Sequence, residues 1–155
     1  MQKNYSITII KKNNQKGVYT MKFEELQIGM SAETTKTITE TDVVLFAGIS
    51  TDINPVHINE EYAKQTQFGG RIAHGILVSG LISATLANKL PGPGCIYLGQ
   101  DLKFTSPVRI GDTVTAKVEV EALREDKKIV TMNTTCTNQR GEVVIKGSAV
   151  LLHRV

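Results

Sequence analysis

From Met21 onward, hydrophobic positions follow two periods. In "TVTAKVEVEA", Val114, Ala116, Val118, Val120 and Ala122 fall at every second residue. That is the period of a strand with one buried face. "KKIVTMNTTCTN" repeats the alternation, and "NQRGE" marks a hairpin turn into "VVIKGSAVLL". In "CIYLGQDLKF", Ile96, Leu98, Leu102 and Phe104 are predicted to share a face. The Thr-rich run from Ser31 to Ile38 reads as a further strand. The second half of the chain is therefore predicted to be an antiparallel sheet with short turns.

The first half follows a different pattern. "HGILVSGLISATLANKLPG" carries apolar side chains on nearly every face of a helix, which predicts a buried helix. Ser79, Gly80, Ser83, Ala84 and Ala87 let other backbone or a ligand come close, and Pro91 to Gly94 end the helix. Thr39 and Asp42 form a capping box with Asp in place of Glu, so a short helix is predicted from about Glu40 to Ala47. Asn59 can cap another over "EEYAKQTQF", stopped by Gly69-Gly70. Asn54-Pro55 between them is a turn signal, predicting neither strand nor continuing helix. One long helix wrapped by an antiparallel sheet is an α+β architecture. Residues 1–20 are rich in Lys, Asn and Gln and lack a sustained period. They are predicted to be a flexible extension, or an added edge strand through "YSITII", ahead of a single domain spanning 21–155.

Composition narrows the function classes. A chain of 155 residues, 41% hydrophobic and 21% charged, has the balance of one ordinary globular domain. A net charge of +3 with 5% aromatics argues against nucleic-acid binding. No apolar run reaches the roughly 18–20 residues of a membrane span. The apolar patch Ile7 to Ile10 precedes its basic cluster, the reverse of a secretory signal, which points to the cytoplasm. Cys95 and Cys136 form no CxxC, which argues against a disulfide framework or a cysteine zinc site and predicts free thiols.

Candidate chemistry sits in "STDINPVHIN". Asp52 and His57 are the kind of pair that moves protons, histidine being the residue type that titrates near neutrality. By themselves they also fit a capped turn with a surface histidine. "RIAHG" then leads into the buried helix, whose first turn carries unpaired N–H groups and the positive end of the macrodipole. Gly75 there has no side chain to keep an oxygen away, so the helix start suits a carbonyl oxygen gaining negative charge.

"DINPVH", "RIAHGILVSGLIS" and "YLGQDLKFTSPVRIGDTV", in that order, resemble the MaoC-like dehydratases of the hot-dog superfamily, above all the single-domain (R)-specific enoyl-CoA hydratases. The resemblance runs from about Phe23 to the C-terminus. It implies a long central helix wrapped by a curved antiparallel sheet, in a homodimer. It implies reversible addition of water to trans-2-enoyl-CoA giving (R)-3-hydroxyacyl-CoA, with the thioester as substrate and neither metal nor organic cofactor. By position, Asp52 and His57 would activate one water, Asn54 would orient the site and Gly75 would bind the thioester oxygen. Ser83 would hydrogen-bond the catalytic aspartate, and His74 would at most position its neighbours. Leu86, Val130 and Met132 are candidates for the floor of the acyl pocket, and would otherwise be plain core. Two alternatives stay open: a hot-dog acyl-CoA thioesterase and a non-catalytic acyl-CoA-binding module. A dehydratase acting on acyl carrier protein ranks lower, because the family pattern pairs its histidine with a helix glutamate and no acidic residue lies between His74 and Lys89.

Overall fold

The computed structural model describes residues 20–155. The expectations for the first nineteen residues, extension or edge strand, lie outside that range. A single 3-10 turn at Phe23–Glu25 precedes β1 (Ser31–Thr37), α1 (Glu40–Ser50), α2 (Pro55–Ile58), α3 (Glu60–Lys64) and α4 (Gly75–Asn88). Four strands follow: β2 (Ile96–Phe104), β3 (Thr113–Arg124), β4 (Ile129–Asn138) and β5 (Val143–Leu152). They join β1 in one antiparallel five-stranded sheet of order β1-β3-β4-β5-β2. The sheet wraps α4, the hot-dog arrangement. Among the described residues no helix is long and apolar enough to cross a membrane.

The core lies between α4 and the concave face of the sheet. Val78, Leu81, Ile82 and Leu86 of α4 meet Val114, Ala116, Val118 and Val120 of β3, Val130 and Met132 of β4, and Ile145, Ala149 and Leu151 of β5. Each of the larger side chains among them contributes about 1.5–3 kcal/mol on burial. Cys136 is buried among them, and that burial pushes its thiol up to about 12. Ile76 departs from the expected all-round burial and is 56% exposed at the helix start.

The helices form where their caps allow. Thr39 Oγ1 accepts from the Asp42 N–H at 3.2 Å and Asp42 Oδ2 accepts from the Thr39 N–H at 2.8 Å, completing the capping box. α1 runs past the expected Ala47 to Ser50 and closes on Thr51 in a left-handed conformation, φ 62°. Asn54-Pro55 does not stop helical structure; it starts it. Asn54 Oδ1 accepts from the Val56 N–H at 3.2 Å, and Pro55 takes the first helical position, which needs no N–H. Asn59 caps α3 through the Tyr62 N–H at 3.0 Å, though α3 stops at Lys64 rather than continuing through Phe68.

Two bulges overturn the simple alternation. The extra residue between Val120 and Ala122 turns Ala122 to solvent and brings Leu123 against the core. The irregularity between Tyr97 and Gly99 breaks β2, and Ile96, Leu98 and Phe104 are all more than half exposed. A bulge inverts every side chain beyond it and bends the strand. Where β2 curls over β5 the backbones nearly touch. A Cβ at Gly147 would lie 1.8 Å from the Asp101 carbonyl oxygen.

Candidate active site

Three short elements bring the chemistry together. Asp52 stands exposed in the loop after α1, His57 lies on the single turn of α2, and His74 is the N-cap of α4. Potential ligand atoms of all three lie within 4.8 Å of one another. Asn54 acts at one remove, since its side chain caps the turn that carries His57.

Both imidazoles donate to backbone carbonyls. His57 Nδ1–H donates to the Ile72 oxygen at 2.8 Å, and His74 Nε2–H donates to the Asp52 oxygen at 2.9 Å. These bonds select the tautomers. His57 keeps a bare Nε2, while the bare nitrogen of His74 is Nδ1, which is buried without a partner among the described residues. The two rings lie face towards face, centroids 3.9 Å apart and tilted 33°, and Phe46 packs on His74 at 4.9 Å. Asp52 Oδ1 accepts the Asn54 N–H at 3.2 Å, which leaves the rest of the exposed carboxylate open. The same three side chains are the ones that could hold a divalent cation. The bare Nδ1 of His74 would be the ligating nitrogen, with Nε2–H still held by the Asp52 carbonyl.

A cavity of about 400 Å³ opens beside His57. Gly75 lies in its wall with Phe68, Ile72, Phe104, Val108 and Ile145. The His74 side chain makes no capping bond, so it does not cover the start of α4. The Phe104 ring presses on Gly75: a Cβ there would meet its Cδ1 and Cε1 at 2.6 Å. Asp52 is not part of this wall and stands next to it.

The expected site residues thus divide. Asp52, His57 and Gly75 converge with Asn54 in support. Ser83 is exposed on α4, and the bond seen at the Asp52 carboxylate comes from Asn54 instead. Leu86, Val130 and Met132 do not line the cavity; at 1%, 0% and 0% exposure they are sealed in the core. Sequence reasoning missed Phe68, Phe104 and Val108 as walls, because three distant segments meet there.

Comparison with known proteins decides the family. The MaoC like domain matches residues 23–141. The chain belongs to the MaoC-like dehydratase family. This MaoC-like chain is 57% identical over 130 residues to an (R)-specific enoyl-CoA hydratase of Rhodospirillum rubrum, covering 84% of the chain and 90% of that relative. It superposes on the unliganded R-hydratase of Pseudomonas aeruginosa with a TM-score of 0.82 at 47% identity, covering 87% and 86% of the two chains. The (R)-hydratase of Aeromonas caviae involved in PHA biosynthesis gives a TM-score of 0.80 at 44% identity, covering 83% of the MaoC-like chain and 97% of its own.

Proposed function

We propose that this protein is an (R)-specific enoyl-CoA hydratase, a hydro-lyase that adds water reversibly to trans-2-enoyl-CoA to give (R)-3-hydroxyacyl-CoA. The observation that carries the reading is the bare Nε2 of His57 beside the Asp52 carboxylate, at the open start of α4. The (R) hand is taken from the relatives.

Asp52 and His57 hold one water between them. Its oxygen bonds to the β-carbon as the carbon–carbon double bond becomes single. The pair takes one proton from the water and returns one to the α-carbon, so its charge is unchanged over the cycle. Negative charge that builds on the thioester oxygen meets the Gly75 N–H and the positive end of α4. The apolar cavity beside His57 receives the acyl chain. No metal or organic cofactor enters this scheme.

The working unit is a homodimer in the cytoplasm. Among the described residues β2 ends the sheet with an unpaired edge and exposed Ile96, Leu98 and Phe104, which a second copy would cover. Free Cys95 and Cys136 suit a reducing compartment.

The test follows loss of the conjugated double bond of crotonyl-CoA, assigns the hand of the product and measures free CoA in the same samples. Hydration to the (R) product, undiminished by a chelator, is expected. Asp52→Asn and His57→Ala should each lower kcat about a hundredfold or more. Release of CoA without hydration would make the protein a thioesterase, and binding without turnover would make it a carrier module.

A further inference from the structure

We infer that His74 is the positioning residue that holds both members of the proton-transfer pair in register with the start of α4. The inference rests on the hydratase reading and adds to it a role for a side chain that need not touch substrate.

Asp52 sits where the chain would not hold itself. The residue before it, Thr51, is β-branched and left-handed at φ 62°, a conformation that stores strain unless its surroundings impose it. The other hydrogen bonds around Asp52 are local. Its N–H donates to Ser50 Oγ at 3.1 Å, Ile53 N–H to the Thr51 oxygen at 3.1 Å, and Asn54 N–H to Asp52 Oδ1 at 3.2 Å. His74 Nε2–H supplies the long-range bond, tying the Asp52 carbonyl at 2.9 Å to the cap of α4. The same ring backs His57 at 3.9 Å between centroids. One side chain therefore sets the separation of Asp52 from His57 and of both from Gly75, its neighbour in the chain.

A residue serving only to fill this space would be apolar. His74 is 2% exposed and keeps Nδ1 buried with no partner among the described residues. An unsatisfied buried nitrogen is destabilising, a cost that leucine or phenylalanine would avoid. The opposite nitrogen explains its presence: an N–H at the reach of Nε2, on a flat ring that can also lie against His57.

The experiment compares His74→Gln with His74→Asn. Both are amides. Glutamine carries an N–H to about the place of Nε2, whereas asparagine ends near the place of Nδ1. Thermal melting establishes that both fold. His74→Gln should keep kcat for crotonyl-CoA within about fivefold of wild type, and His74→Asn should lose about a hundredfold, the effect of a misplacement near 1 Å. KM should change less than about threefold in both, because the tether orients the pair and does not bind the substrate. Amide exchange across residues 51–54 should quicken about tenfold in His74→Asn and stay near wild type in His74→Gln, independently of turnover. Equal kcat and equal exchange in the two variants would overturn the inference. A wild-type protein that hydrates no enoyl-CoA would overturn the hydratase reading alone, and exchange would then decide the tether. If His74→Asn does not fold, nitrogen-15 spectra of the wild-type histidines decide it. An Nε2–H tautomer with a slowly exchanging proton supports the tether, and an Nδ1–H tautomer overturns it.

Discussion

Gly75 stands between two demands. In the proposed reaction its N–H would meet the oxygen that gains charge, and the Phe104 ring occupies the space a side chain would need, 2.6 Å from an ideal Cβ. That ring is the end of a side chain more than half exposed, so it can swing away. Gly75→Ala should therefore fold with a stability change within about 1 kcal/mol, since alanine also favours the helix. Hydration should nevertheless fall about tenfold or more, as the methyl and the displaced ring crowd the oxyanion position. Wild-type turnover in a folded Gly75→Ala would remove Gly75 from the site. Leu86 behaves in the opposite way. It is 1% exposed within the core, so Leu86→Ala should lose about 2–5 kcal/mol and leave the preference between four- and eight-carbon enoyl-CoAs unchanged. Phe104→Ala, in the cavity wall, should shift that preference toward the longer chain. Specificity constants for the two substrates in the two variants distinguish core from wall.

At the scale of elements, the turn before β3 supports the cavity. Asp112 Oδ2 accepts the Arg109 N–H at 2.8 Å, while Oδ1 accepts Gln139 Nε2 at 2.6 Å and Arg140 Nη1 at 2.9 Å. These bonds join the turn that follows Pro107 and Val108 to the β4–β5 hairpin. Burial alone would raise the Asp112 carboxyl, but hydrogen bonds from Gln139, the Arg109 backbone and Arg140 outweigh it and hold it below its usual value. A lowered carboxyl contributes stability above its unfolded value, near 4, and loses it as pH falls through the folded value. Asp112→Ala should thus cost about 1–3 kcal/mol at pH 7, with the gap to wild type narrowing below about pH 4. Urea melts at both pH values measure this, and a constant gap would mean the charge does not hold the turn. The elements themselves were legible where one signal had one meaning: the Thr39–Asp42 box, the apolar run of α4, the alternation of β3 and β4. Asn54-Pro55 was ambiguous, because a proline that ends one helix is equally suited to begin another. Ala122 was misplaced because a bulge leaves alternating letters in the sequence while inverting the face. At the site, Asp52, His57 and Gly75 were legible through the resemblance of their motifs to the family, since by themselves they also fit a capped turn and a plain helix start. The grip of His74 was not, since its partner is a main-chain oxygen, and main-chain oxygens carry no letter.

At the scale of the whole molecule, the two sheet edges differ. β1 ends the sheet with the polar run Ser31–Thr37, whereas β2 presents Ile96, Tyr97, Leu98 and Phe104. α1 adds Val44, Leu45 and Ile49, the last 82% exposed. A protein that left this much apolar surface bare would aggregate or associate. Sedimentation at micromolar concentration should therefore give a dimer. Charged residues at Leu98 and Ile49 should give a monomer with reduced hydration, because Phe104 lies both on the bare edge and in the cavity wall. A wild-type monomer with full activity would refute the dimer.

The strand order has a further consequence, for a chain still being made. Among the described residues β2 pairs only with β5. β2 is complete at Phe104, and its neighbour begins about 40 residues later, at Val143. At about 5–20 residues per second the ribosome takes about 2–8 s to cover that distance. Through that interval the nascent protein holds a finished apolar helix and an unpaired strand side by side, and closure waits for the last strand to emerge.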